Sequence, residues 1–300
     1  MLEFKDLEIE DKEIINKYLA KSQSMGSESS FTNLFMWRKS YHVKYAIYND
    51  WLIVRSGGEK KWWYLPPYGE GEDLAGTIEE MIATAKELGQ EFCLKALQEK
   101  HKNILENLFA ERFEFIPERE NFDYIYDAQS LRTLAGRKLH SKRNHLNYFL
   151  NNVSYSYEVL TQDNLQEAMD FLEEWCSQKV CDKQKQLDDM LVCEKDAIKE
   201  IFAAFDELDC VGALIRLEGK VKAFTLGEML TNNTAVIHIE KADHEVRGLY
   251  PAINQLFLTN NFPQAELVNR EEDTGDEGLR KAKLSYYPKE LLTKYKGVLR

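Results

Sequence analysis

One order of elements occurs twice along this 300-residue chain, and that repetition limits its fold more than any single motif does. An extended entry at Phe4 leads into a helix from Asp11 to about Lys21, a polar break "SQSMGSESS" and a second helix "FTNLFMWRK". The stretch "YHVKYAIYNDWLIVRS" is two strands turning at Asn49 and Asp50, residues that tolerate left-handed backbone. A third strand, "KWWYLPPYG", ends at its prolines, and a helix from Leu74 to Leu88 stops at Gly89. Strand "EFCLKAL", helix "EKHKNILENLF" and strands "FEFIPE" and "FDYIYD" complete the first half. The second half opens with strand "VSYSYEVL" and helices "NLQEAMDFLEEWCSQ" and "EKDAIKEIFAAFDEL". A hairpin turning at Glu218 and Gly219, strand "NTAVIHIEKA" and helix "GLYPAINQLFLTNNF" follow. Strand "AELVNR", helix "EGLRKAKLSY" and an extended "KELLTKYKGVL" close it. The expected fold is α/β (α+β): two repeats, each a mixed, mainly antiparallel sheet flanked by helices. The units are 1–130 and 151–300, joined by a basic helix 131–150.

Charge sets that join apart. With 51 acidic against 39 basic residues the chain carries a formal charge of -12, so its bulk surface repels polyanions and any anion contact must be local. From Ala128 to Tyr157 there is no Asp or Glu, while Arg132, Arg137, Lys138, Lys142 and Arg143 all fall inside. On a helix, Leu139, Leu146 and Leu150 take one side, and Lys138, Lys142 and His145 another. Lys138, His140, Lys142 and Arg143 are therefore read as lining an anion-binding groove; the same pattern also fits a solvated linker helix. The first residues carry charges throughout and lack the apolar core of a leader, and no window reaches a spanning length of about 18 apolar residues. Cys93, Cys176, Cys181, Cys193 and Cys210 show no zinc spacing, so no metal is expected, and they read as thiols of a reducing cytoplasm.

The stretch "VNREEDTGDEGLRKAKLSYYPKELLTKYKG" carries more specific information. Its "GLR", the lysine three residues after that arginine, Pro288 and Tyr295 are similar to the C-terminal signature of phosphatidylglycerol lysyltransferases, and "GRKLHSKRNH" and "HIEKADHEVRGLYPAINQLF" share in that resemblance. It implies two GNAT-like acyltransferase units in tandem, as in a domain that moves an aminoacyl group from tRNA to a lipid. On the helix "EGLRKAKL", Arg280 and Lys283 lie one turn apart, where they suit a phosphate or carboxylate. The resemblance makes them donor-site residues; they would equally neutralise the acidic run from Glu271 to Glu277.

In "AVIHIEKA", alternation puts His238 and Glu240 on one strand face. In a GNAT-like unit this strand borders the transfer site, which makes Glu240 the expected general base, with His238 beside it. Pairing of Glu240 with Lys241 or Arg247 is the competing reading. A coenzyme A loop with two glycine-like positions is replaced by "EVRGLYPAI", where Arg247, Gly248 and Tyr250 precede a helix start at Pro251. Tyr286 stands where such enzymes place a tyrosine that protonates the leaving group, or it fills core. Asn269, at a strand end, and Lys241 complete the anion-binding candidates.

These features lead to an acyl- or aminoacyl-transferase. Acyl-CoA or aminoacyl-tRNA is the donor, and a small molecule, peptide or lipid head group is the acceptor. No cofactor is tightly bound, no membrane insertion is stable, and the location is cytoplasmic. A non-catalytic nucleotide-, CoA- or tRNA-binding module on the same fold is the alternative.

Overall fold

A computed structural model describes residues 1–58, 61–180 and 185–300, with side chains described outside 178–193. Cys181 and the side chain of Cys193 lie outside the described residues; Cys93 and Cys210 are buried free thiols.

The first stretch of chain forms β1 (Lys5–Asp6), α1 (Lys12–Ser22), α2 (Phe31–Met36), β2 (Lys44–Tyr48), β3 (Trp51–Gly57), β4 (Trp62–Tyr64) and β5 (Tyr68–Gly69). It continues through α3 (Leu74–Glu87), β6 (Cys93–Leu97), α4 (Glu99–Phe109) and β7 (Phe113–Pro117). Next come β8 (Asp123–Asp127), α5 (Ala128–Thr133), α6 (His140–Asn152), β9 (Ser156–Val159), α7 (Leu165–Val180) and α8 (Lys185–Ala203). The remainder is β10 (Val211–Leu217), β11 (Lys220–Met229), β12 (Thr234–Ala242), α9 (Leu249–Asn261), β13 (Leu267–Asn269), α10 (Glu277–Leu284), β14 (Glu290–Leu292) and β15 (Tyr295–Leu299).

Local chemistry sets the boundaries. Asn49 and Asp50 take φ of 49° and 58°, and Glu218 and Gly219 take 50° and 80°, as two-residue hairpin turns require. Ser30, Asp73 and Asp127 accept from backbone N–H groups of the first turns of α2, α3 and α5.

The strands make two sheets. One runs β1-β2-β3-β4-β6-β15-β7 with β5 beside β3; the other runs β14-β8-β13-β12-β11-β10-β9. The compact units cut the chain differently from 1–130, 131–150 and 151–300. The first holds Met1–Asp123, Glu272–Glu277 and Leu291–Arg300; the second holds Tyr124–Glu271 and Gly278–Glu290. β15 fills the slot between β6 and β7, while β8 pairs with β13. The basic join is two helices, because Leu134 (φ 48°) and Gly136 (φ 86°) turn left-handed and stop α5 before α6 begins.

In the second unit β11 is buried along most of its length, because helices cover it on both faces. Phe224 meets Phe171 and Phe202 on one side, and Gly227 lies close to Phe257 of α9 on the other. In the first unit Ile53, Tyr64, Met81 and Leu94 form the core between sheet and helices.

The first unit also buries a lysine. Lys294, 1% exposed, donates to Asp123 Oδ1 at 2.8 Å, to Ser27 Oγ at 3.3 Å and to the Glu28 carboxylate. Burial opposes its charge, but Asp123 and Glu28 together hold the ammonium protonated, well above the usual lysine range. Replacing it with methionine leaves two like charges buried. K294M is expected to lower the unfolding free energy by about 3–5 kcal/mol in urea titrations at neutral pH; a change below about 1 kcal/mol would show the cluster to be solvated.

Candidate active site

β12 carries the centre of the site in the second unit. Its pairing with β11 steps from Ile239↔Leu226 to Ile237↔Gly227, so His238 is the extra residue of a β-bulge. The alternation expected to align His238 with Glu240 is interrupted there, and the two side chains meet different partners: Glu271 and Glu228 for His238, Arg270 and Asn254 for Glu240.

Glu240 stands opposite Thr225 and points toward α9. Asn254 Nδ2 donates to its Oε2 at 2.7 Å, and Arg270 Nη2 donates to its Oε1 at 2.8 Å. The side chains of Arg270 and Glu240 are only 12% and 10% exposed. The expected open base is thus the counter-ion of a buried arginine, and its partner is neither Lys241 nor Arg247.

Around this pair are aromatic rings and one more cation. The Arg270 guanidinium lies 4.9 Å from the Tyr286 ring and 5.7 Å from that of Tyr126. Lys142, half-buried on α6, sits 4.4 Å over Tyr286. Burial first, and then the Arg270 charge, lower the Lys142 ammonium below the usual lysine range. Burial pushes the Tyr286 phenol up to about 12 against the pull of Arg270, so it is a proton donor at neutral pH.

The remaining candidates divide. Lys283 is drawn to the same centre, but its Nζ donates to the Arg270 carbonyl at 2.6 Å, while Tyr126 OH donates to the Lys283 carbonyl at 2.8 Å. It is a clamp on the backbone. Arg280 is half-buried one turn earlier on α10. Asn269 is fully buried and accepts the Glu271 N–H at 2.6 Å, which makes it a turn-former. Lys241 points the other way. It lies over Trp175 of α7, with both Glu194 oxygens at 2.8 Å from Nζ, and this neutralisation removes it from any anion site. Arg143 donates to the carbonyls of Leu134 and Gly136, holding the bend between α5 and α6. Exposed Lys138 lies over Tyr287, exposed Arg247 over Tyr148, and exposed His140 touches Asn144.

Gly248 begins α9 at φ 87°, and a Cβ there would overlap the His145 carbonyl of α6. The amino end of α9 has few amides to offer. Leu249 N–H donates to Val246 O, Pro251 has none, and Ala252 N–H closes the first turn on Gly248 O. Tyr250 is partly buried beside it, its phenol raised by that burial.

Arg270, Asn254 and Tyr126 are absent from the sequence-derived candidates. The signal available was an arginine directly after a short strand, which the following "EED" disguised as surface.

His238 forms a second cluster. Its side chain is inaccessible to solvent; Nδ1 and Nε2 donate to Glu271 Oε1 at 2.8 Å and Glu228 Oε1 at 3.0 Å. Burial alone would lower its pKa, but the two carboxylates outweigh it and raise it to about 10. The ring is therefore an imidazolium, a positioning group with no free nitrogen to accept a proton.

A protein-family profile described as phosphatidylglycerol lysyltransferase, C-terminal, matches residues 19–296. A conserved protein of unknown function from Bacteroides thetaiotaomicron is 36% identical, with each chain covered completely and a TM-score of 0.94. The C-terminal domain of a lysylphosphatidylglycerol synthetase from Agrobacterium fabrum is 15% identical over 97% of this chain and 92% of that one, TM-score 0.66. A tandem GNAT protein from the clavulanic acid pathway is 10% identical over 99% and 97%, TM-score 0.51. The fold is accordingly a tandem GNAT-like one. An uncharacterised protein of Mycoplasmoides gallisepticum is 26% identical over 181 residues, 58% of this chain and about half (54%) of that relative.

The His238 cluster makes stability depend on pH. A free imidazole titrates near ~6.5, so a folded value raised to about 10 gives a contribution complete below the free value and lost as pH rises toward 10. Urea midpoints of the wild type should fall between pH 7 and 10 relative to those of H238Q. Parallel curves would show the histidine to be neutral.

Proposed function

Because the chain belongs to the family of phosphatidylglycerol lysyltransferase C-terminal domains, we propose that it moves an acyl or aminoacyl group from an anionic carrier to an amine or hydroxyl acceptor. One observation carries this reading. In a protein of charge -12, Lys142 and Arg270 both approach Tyr286, with the Glu240 carboxylate paired to Arg270 and no acidic partner on Lys142 among the described residues. That local excess of positive charge suits a carrier whose reactive end is rich in oxygen.

Aminoacyl-tRNA fits better than acyl-CoA. A coenzyme A pyrophosphate is held by free amides at a helix start, and in α9 that end is packed against α6 with few amides to give. Single-stranded RNA calls for cations beside aromatic rings. Lys138 with Tyr287, Lys142 with Tyr286, and Arg247 with Tyr148 supply three such pairs. We place the protein in the cytoplasm, where charged tRNA is found; among the described residues no helix is long and apolar enough to cross a membrane.

In the reaction the free amine or hydroxyl of the acceptor attacks the carbonyl carbon, and the bond to the carrier oxygen breaks. Tyr286 donates its phenolic proton to that leaving oxygen and regains one from the attacking group. Positioning of the two partners supplies most of the acceleration.

The test is binding of bulk aminoacylated tRNA and of acetyl-CoA between 50 and 200 mM salt, followed by transfer of labelled amino acid to amine acceptors. The tRNA affinity should fall with a log–log slope of about -0.7 for each phosphate neutralised, and K142A should shallow that slope by about one phosphate. Failure of both carriers to bind would overturn the reading.

A further inference from the structure

Arg270 is held with unusual completeness except at one atom. Its N–H donates to the Tyr124 carbonyl at 3.0 Å and its own carbonyl accepts from Lys283 at 2.6 Å. The next residue, Glu271, turns left-handed at φ 54°, with its N–H on Asn269 Oδ1 and its carboxylate on His238. The backbone carrying the guanidinium is thus fixed by β8, α10 and the His238 cluster. Glu240 takes Nη2, and the rings of Tyr286 and Tyr126 lie nearby. Nη1 is buried and meets no hydrogen-bond partner among the described residues.

A buried charged donor without an acceptor is rare and needs a reason. The contrast with Lys294 sharpens the point: there three oxygens, from Ser27, Glu28 and Asp123, meet the three protons of one ammonium. Arg270 thus has a buried fork tip with no acceptor at hydrogen-bond distance among the described residues, beside Lys142 and the Tyr286 phenol that faces the same guanidinium. What belongs opposite it is an oxygen that carries, or gains, negative charge.

Resting on the transfer reading above, we propose that Arg270 Nη1 is the hydrogen-bond donor to the carbonyl oxygen of the group being transferred, with Glu240 holding the guanidinium in place. When the acceptor's lone pair forms its bond to the carbonyl carbon, the carbonyl π pair moves onto the oxygen facing Nη1. It returns as the bond to the carrier oxygen breaks, and the proton lost by the acceptor ends on that oxygen. A donor fixed in advance and buried stabilises the charge where it appears. Glu240 is engaged by Arg270 Nη2 and Asn254 Nδ2, so its work is orientation of Arg270.

Two pairs of nonhydrolysable donors test this against the full chain by calorimetry. One is an aminoacyl-adenosine amide and its counterpart with the carbonyl reduced to methylene; the other is acetonyl-CoA and propyl-CoA. In at least one pair the carbonyl compound should bind about tenfold or more tighter than its methylene partner, the range for a hydrogen bond to a charged group. R270Q should bring that ratio to about one whatever it does to the affinity of both members together, and E240Q, which keeps an acceptor for Nη2, should retain the ratio. Equal binding of the two members by the wild type, a comparison that needs no variant, overturns the assignment and leaves carrier binding intact. A ratio preserved in R270Q overturns it as well. If none of the four compounds binds, the transfer reading falls, and this inference with it.

Discussion

The ion pair between Arg270 and Glu240 is the interaction on which the second unit turns. Two opposite charges away from water attract strongly, but removing them from water is costly, and the balance is favourable only when other hydrogen bonds complete the geometry. Here Asn254 supports the carboxylate, and Tyr124 and Lys283 fix the backbone of the arginine. Strand β13 is three residues long, so little of this rigidity comes from the strand itself. It comes from β8, which arrives from a distant part of the sequence, and from α10, the next helix along the chain.

The two units treat a buried cation in opposite ways. In the first, Lys294 is saturated, and its cluster fastens the returning C-terminal segment to residues 27 and 28 and to Asp123. In the second, the guanidinium is pinned but not saturated. A closed cluster contributes to folding, while an incomplete one keeps a donor available at the expense of stability. The same distinction separates Lys241, neutralised by Glu194, from Lys142, which lies over the Tyr286 ring with no acidic partner among the described residues.

Much of the architecture was legible from local signals. The hairpin turns at Asn49–Asp50 and Glu218–Gly219, the stop at Gly89 and the limits of α4 and α9 depend on backbone preferences of a few adjacent residues. Element order likewise survives translation into a tandem fold. Sheet membership did not: "FDYIYD" and "KYKGVL" read as strands, but which neighbour each chooses is decided by partners over a hundred residues away. Of the proposed site, Glu240, Lys142, Lys283 and Tyr286 stand out in the sequence because their chemistry is visible. Their roles were harder to read, since a single bulge at His238 changes which neighbours a strand residue meets. Arg270 escaped because burial of an arginine beside "EED" is a tertiary fact.

The placement of β15 has a consequence for the birth of the molecule. Among the described residues β7 pairs with β15 alone, and β6 meets the same strand along its opposite edge. At ribosomal speeds of about 5–20 residues per second, roughly 10–40 s separate the emergence of β7 from that of β15. Throughout that interval the nascent amino-terminal sheet displays two raw hydrogen-bonding edges, an invitation to chaperones and to sister chains on the same polysome.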